Sequence, residues 1–147
     1  METLRRVAGV TEEALLQALE EAIRVGVLEE TARPGSVRYR FSHAFFRQTL
    51  YEEMIAPRRL RLHQQVARAL EAQHPNRLEE HAAELAEHFA QSTDPADLER
   101  AVHYGEMAAG RASAVYAYGE AATLLEQALG VQKVLGLTTR RSYVTCC

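Results

Sequence analysis

The 147-residue chain has no tryptophan, a single lysine, two isoleucines and two cysteines. The cysteines, Cys146 and Cys147, are neighbours at the last two positions. Adjacent thiols cannot staple distant parts of a fold, and no Cys-x-x-Cys spacing is present, so neither a disulfide framework nor a thiolate metal centre is expected. No apolar run approaches the ~20 residues that span a bilayer, so no membrane association is expected. The opening Met1-Glu2-Thr3-Leu4-Arg5-Arg6 lacks the apolar core of a secretory signal, which points to a cytoplasmic location. Catalytic motifs are missing too. The lone lysine, Lys133, lies outside any Gly-x-x-x-x-Gly-Lys-Ser/Thr loop, there is no Gly-x-Ser-x-Gly, and Ser42-His43 are sequence neighbours without a positioned third group. The chain is therefore expected not to be an enzyme by itself.

What is present is a helix-forming alphabet. There are 24 Ala and 17 Leu against 11 Val, and 47% of residues are hydrophobic with 25% charged. Alanine and leucine sit at the favourable end of the helix propensity scale, and the balance is that of one ordinary folded domain or two small ones. The charge is laid out in blocks. Residues 1–30 carry 3 basic and 7 acidic side chains, residues 31–77 carry 9 and 3, and residues 78–130 carry 2 and 10. Blocks of opposite sign in a small chain mostly satisfy one another or solvent.

Residues 1–56 read as helix, turn, helix, hairpin, helix. Leu4 and Val7 share a face of a short first segment that Gly9-Val10 interrupts. Thr11 supplies an N-cap hydroxyl, Glu12 and Glu13 suit the positive end of the dipole, and Leu15, Leu16, Leu19, Ala22 and Ile23 recur at helical spacing before Gly26. Val27 and Leu28 lead into a first strand, Arg33-Pro34-Gly35-Ser36 makes a turn, and Val37, Tyr39 and Phe41 alternate with polar residues in a second strand. This order describes a winged helix. Ser42 is placed to cap a helix carrying Phe46, Leu50 and Met54.

Residues 57–135 read as helices alone. Pro57 suits a first helical turn, and Leu60, His63, Val66, Ala67 and Leu70 form the buried stripe of the helix that follows. Leu78, Ala82, Leu85 and Phe89 form the next. Asp94-Pro95 is a cap and a first-turn proline, opening a helix over 95–113 with Leu98, Ala101, Gly105, Ala108 and Ala112 in line. Ala121, Leu125 and Ala128 stripe a last helix over 117–135, and segment 98–130 fits a degenerate tetratricopeptide hairpin. Residues 136–147 follow no pattern and are expected to be a disordered tail.

Histidine is the one residue type that invites site chemistry. His81, Glu84 and His88 share a helix, but seven residues separate the histidines by about 10.5 Å of rise, too far for one ion with ~2 Å bonds. No metal site is expected. DNA recognition by a winged helix is the alternative function, and the sequence of the second helix counts against it: residues 11–24 carry four glutamates and one arginine, a balance repelled by a polyanion. Arg33, Arg38 and Arg40 could meet phosphates on the wing but leave that helix unexplained.

The runs Tyr39-Arg-Phe-Ser-His-Ala-Phe-Phe-Arg-Gln-Thr-Leu-Tyr51 and Arg58-Arg-Leu-Arg-Leu-His-Gln-Gln-Val-Ala-Arg-Ala-Leu-Glu71 resemble the STAND class of regulatory ATPases. They are most similar to bacterial ATPases coupled to cyclase, kinase or LuxR-type output domains, over about residues 2–135. The resemblance implies a mainly α fold: a truncated winged helix with a short β-hairpin, followed by a tetratricopeptide-like helical array. It also implies an NTPase domain upstream in cis, ADP or ATP as the ligand of the full-length relative with none in the fragment, and a protein partner on the helical repeats. By its position in Phe41-Ser42-His43, His43 matches the histidine that contacts the ADP phosphate in that class, including NOD-like receptors. Such a contact would need the upstream domain. The winged helix is expected to lack its first helix, leaving Leu15, Leu19, Ile23, Val37, Tyr39 and Phe41 short of cover that a homodimer partner could supply.

Overall fold

The computed structural model describes residues 2–33 and 36–144. The protein is mainly helical, 76% of it, with seven α-helices and one two-stranded antiparallel hairpin among the described residues. It divides into two compact units, Met1–Arg59 and Leu60–Cys147, against an expected boundary at 56/57.

In the first unit α1 (Glu2–Ala8) ends at Gly9, whose φ of +65° turns the chain. Thr11 then caps α2 (Glu12–Arg24), its Oγ1 accepting from the Ala14 N–H at 3.3 Å. Gly26, at φ +75°, closes α2, with its N–H on the Ile23 carbonyl and the Val27 N–H on Ala22. A left-handed residue after the last turn satisfies carbonyls the helix would otherwise leave open. Strands β1 (Leu28–Arg33) and β2 (Ser36–Phe41) pair from Leu28 opposite Phe41 to Arg33 opposite Ser36; the expected Pro34-Gly35 turn lies outside the described residues. α3 (Ala44–Glu53) follows.

Two expectations for this unit need correction. Ser42 does not cap α3: its hydroxyl donates to the Gly26 carbonyl at 2.6 Å, and its N–H donates to Val27. The residue before the helix is His43, so the serine sits one position too early and instead locks the hairpin's exit to the end of α2. Leu15 and Leu19 are not short of cover; both are buried, because the short α1 is folded and packs with β1 on α2. Val37 and Phe41 do stand exposed, and Ile23 and Tyr39 are half-buried. Met54 lies just past α3 in extended backbone, so only Phe46 and Leu50 of the expected stripe are on that helix.

The second unit holds the main core. α4 (Ala56–Gln73), in which the division between units falls, is followed by a 3₁₀ turn (Leu78–His81), α5 (Ala82–Ala90), α6 (Pro95–Ala114) and α7 (Tyr118–Val144). Asp94 caps α6 as expected, accepting from the Ala96 N–H at 2.9 Å, with Pro95 in the first turn. Ala67, Leu70, Ala82, Leu85, Phe89, Ala101, Tyr104 and Ala108 form one buried cluster, in which Leu85 and Phe89 are wholly enclosed. α6 and α7 run antiparallel: Ala112 and Ala109 pack with Ala121, and Gly105 lies against Ala128. A Cβ at Gly105 would stand 3.1 Å from that of Ala128, so the glycine sets how closely the helices approach.

α7 departs from expectation twice. Leu124, not Leu125, faces the core; Leu125 is exposed. The packed positions are Ala121, Leu124, Ala128 and Val131, at spacings of three and four that keep one face of a 3.6-residue period. The helix also runs to Val144 rather than ending at 135, so residues 136–144 are helical where a disordered tail was expected. No proline interrupts this stretch, and a glycine such as Gly136 costs only about 1 kcal/mol relative to alanine, too little to stop a helix. Residues 145–147, with both cysteines, lie outside the described residues.

Candidate functional site

His43 stands at the corner between β2 and α3, as the N-cap residue of α3 in extended backbone, with φ −135° and ψ 143°. The hydrogen bonds of Ser42 to the Gly26 and Val27 carbonyls fix the chain immediately before it. Its imidazole makes no cap bond to α3; it is exposed and tilted against Phe46 with ring centroids 6.1 Å apart. A helix start carries unsatisfied N–H groups and the positive end of the dipole, and an exposed imidazole there adds one more donor for an anion.

Four of the other five histidines fall into two pairs that the sequence did not disclose. His88 of α5 meets His63 of α4 with 2.8 Å between Nδ1 atoms. His81, at the end of the 3₁₀ turn, stacks on His74 with centroids 4.3 Å apart, and its Nδ1 lies 3.6 Å from Glu84. Thus His81 and His88 turn to different partners rather than to one another. Among the described residues no group of three or more His, Cys, Asp or Glu side chains gathers to hold a metal. The only advance signal for these pairs was His63 on the apolar stripe of α4 and His88 beside the buried Phe89. The His63–His88 contact spans 25 residues and leaves no local pattern to read.

Polar side chains join α4 to the rest of its unit. Gln64 donates from Nε2 to Ser92 Oγ and to Asp97 Oδ2, both at 2.8 Å, and Ser92 donates to the same carboxylate oxygen at 2.9 Å. Asp97 is almost fully buried in the first turn of α6, with Arg68 at 3.6 Å from its other oxygen. One turn further along α4, Glu71 accepts from the Tyr104 hydroxyl at 2.5 Å and from Arg100 at 2.9 Å. Burial first, then the bond to Glu71, pushes the Tyr104 phenol up to about 12. A buried carboxylate is tolerated only when its oxygens find donors, and both carboxylates do.

A concavity of about 550 Å³ lies along α6 between α5 and α7. Its floor is small and apolar: Ala86, Ala90, Ala101, Gly105 and Ala128. Glu84 and Glu87 stand at its edge. A second hollow of about 240 Å³ shares Ala83 and Leu124 with it and continues toward the α6–α7 turn, edged by Glu79, Glu80, Glu120 and Arg111. Arg111 is held to the Glu79 carbonyl at 3.2 Å. The two together form one groove with an alanine-glycine floor and a carboxylate rim.

Among the described residues no helix is long and apolar enough to cross a membrane. No protein-family model matches the chain, and neither a curated protein nor a solved structure matches it.

Proposed function

We propose that the chain is a non-catalytic regulatory and protein-interaction fragment of a STAND-type signal-transducing ATPase, coupling nucleotide state to the sensing of a partner. The observation that carries the interaction role is the groove of the second unit, open to solvent, floored by alanine and glycine and rimmed by five glutamates. Small floor residues let a partner backbone approach closely, and the rim favours a segment with lysine or arginine flanking a short apolar stretch. The regulatory role rests on the motif runs at Tyr39–Tyr51 and Arg58–Glu71 and on the large apolar side chains at the surface of the first unit. Phe45 and Ile55 are each 70% exposed, and Leu50 and Tyr51 are exposed beside them in sequence. An upstream NTPase domain in cis would cover such a surface, with His43 reaching the phosphate of its bound ADP. Nucleotide exchange would then shift the population between a covered and a released first unit. The exposed glutamates of α2 weigh against duplex DNA as the partner.

The test uses the longer protein in which an NTPase domain precedes Met1. Calorimetry on that protein is expected to show weaker ADP retention for His43→Ala, while unchanged affinity returns His43 to a packing role. A gene with no in-frame Gly-x-x-x-x-Gly-Lys-Ser/Thr segment upstream contradicts the ATPase assignment itself.

A further inference from the structure

α4 is fastened to its unit at several points along its length, and one fastening differs in kind from the rest. Gln64 and Glu71 bond to hydroxyl, carboxylate and guanidinium groups. His63 bonds to another imidazole, Nδ1 to Nδ1 at 2.8 Å, with ring centroids 5.0 Å apart and the rings tilted by 45°. Two ring nitrogens at that distance hold one proton between them and cannot hold two. In a neutral pair one ring carries its proton on Nδ1 and the other on Nε2, so an N–H faces a lone pair. A first proton enters at the free Nε2 of the donating ring and leaves the bond in place; a second, on the accepting ring, sets two N–H groups and two positive charges head to head.

We propose that the His63–His88 pair is a proton-operated latch: with one proton between the rings it holds α4 against α5, and with both rings protonated it lets α4 go. Both rings are half-buried, so water does not readily replace the lost bond. The groups that bear on the pair come from three helices. On α5, Glu87 precedes His88 and favours a charged His63, while Glu84 is turned to His81 at 3.6 Å. On α6, Asp97 is taken up by Gln64, Ser92 and, at 3.6 Å, Arg68. On α4, Arg59 is directed at the Met54 carbonyl. Burial and His88 outweigh Glu87, holding His63 below its usual 6.5. A folded-state value below the unfolded one means the pair's stabilisation is complete above 6.5 and is lost as pH falls through the lowered value. The latch therefore opens on the acid side of neutrality, and it acts on the helix in which the division between the two units falls.

The experiment is performed on the whole chain at about pH 7.5 and about pH 5.5. Nitrogen spectra of the imidazoles at the higher pH are expected to show one of the two rings protonated at Nδ1 and the other at Nε2. Amides of residues 60–73, corrected for the intrinsic effect of pH, are expected to exchange about fivefold faster relative to those of α6 at the lower pH, the equivalent of one net hydrogen bond. Replacing both rings, His63→Asn with His88→Asn, keeps polar atoms near the Nδ1 positions but removes titration, and the pH response of α4 is expected to vanish. His74→Asn with His81→Asn is expected to retain it. Two Nε2-protonated rings at neutral pH overturn the proposal, as does a wild-type α4 whose relative exchange ignores pH. The spectra and the wild-type exchange decide the matter even where the double variant does not fold.

Discussion

The two units use the same residue types to opposite effect. In the second unit the buried positions are mostly alanines, with Leu70, Leu85, Phe89, Leu98 and Tyr104 set among them. In the first, Leu15 and Leu19 are the buried positions among the described residues, while Val25, Val37, Phe41, Phe45, Leu50 and Ile55 stand exposed. The difference lies in length and register rather than in hydrophobic content. α6 and α7 are 20 and 27 residues long and run antiparallel, so a stripe of small residues meets another stripe over several turns. α1 and α3 have 7 and 10 residues, and the hairpin presents an almost fully exposed first strand. Short elements cannot enclose large side chains from all sides. A core thus needs elements long enough to face one another, and apolar residues on elements that are too short become surface for another body to cover.

The largest effect expected from this contrast is at Phe89. Phe89→Ala should cost about 3–5 kcal/mol in urea unfolding, whereas Phe45→Ala should stay within about 0.5 kcal/mol of wild type. Equal costs would erase the distinction between the units. Next comes Gly105→Val, which drives a branched side chain into Ala128 and should cost about 1–3 kcal/mol. The same change at Gly110, where a Cβ meets nothing within 4 Å, should cost far less.

Alkaline titration sharpens the comparison further. Tyr104 ionises near 12 in the folded chain against 10.0 when unfolded, so the folded state holds its proton longer. Its stabilisation is complete below 10 and is lost as pH rises toward 12. That loss should be visible in the melting of the second unit and absent in Tyr104→Phe. The smallest effect belongs to the first unit: Ser42→Ala removes the bond to the Gly26 carbonyl and should cost about 1 kcal/mol, read from faster exchange at the end of α2.

Features encoded within a few residues were legible before the structure. Thr11, Asp94 and Pro95 act as caps where local spacing placed them, and Gly9 and Gly26 turn the chain with positive φ. Where two local solutions compete, local reading fails. Ser42 has a helix ahead and a carbonyl pair behind, and it takes the carbonyls. Leu124 and Leu125 are adjacent and equally apolar, so only the position of α6 decides which is enclosed. The His63–His88 pair, the bond from Gln64 to Asp97 and the groove all join residues far apart in sequence, and no single-helix pattern contains them. His43 is a candidate from motif position alone; the structure places it exposed at a helix start.

Hydrogen exchange across the whole chain, on material shown by sedimentation to be monomeric, bears most directly on the contrast between the units. Residues 1–42 should exchange faster than residues 57–130, because the enclosed core lies in the second unit and large side chains of the first stand in solvent. Uniformly slow exchange in a proven monomer would contradict this, showing that the first unit closes a core of its own.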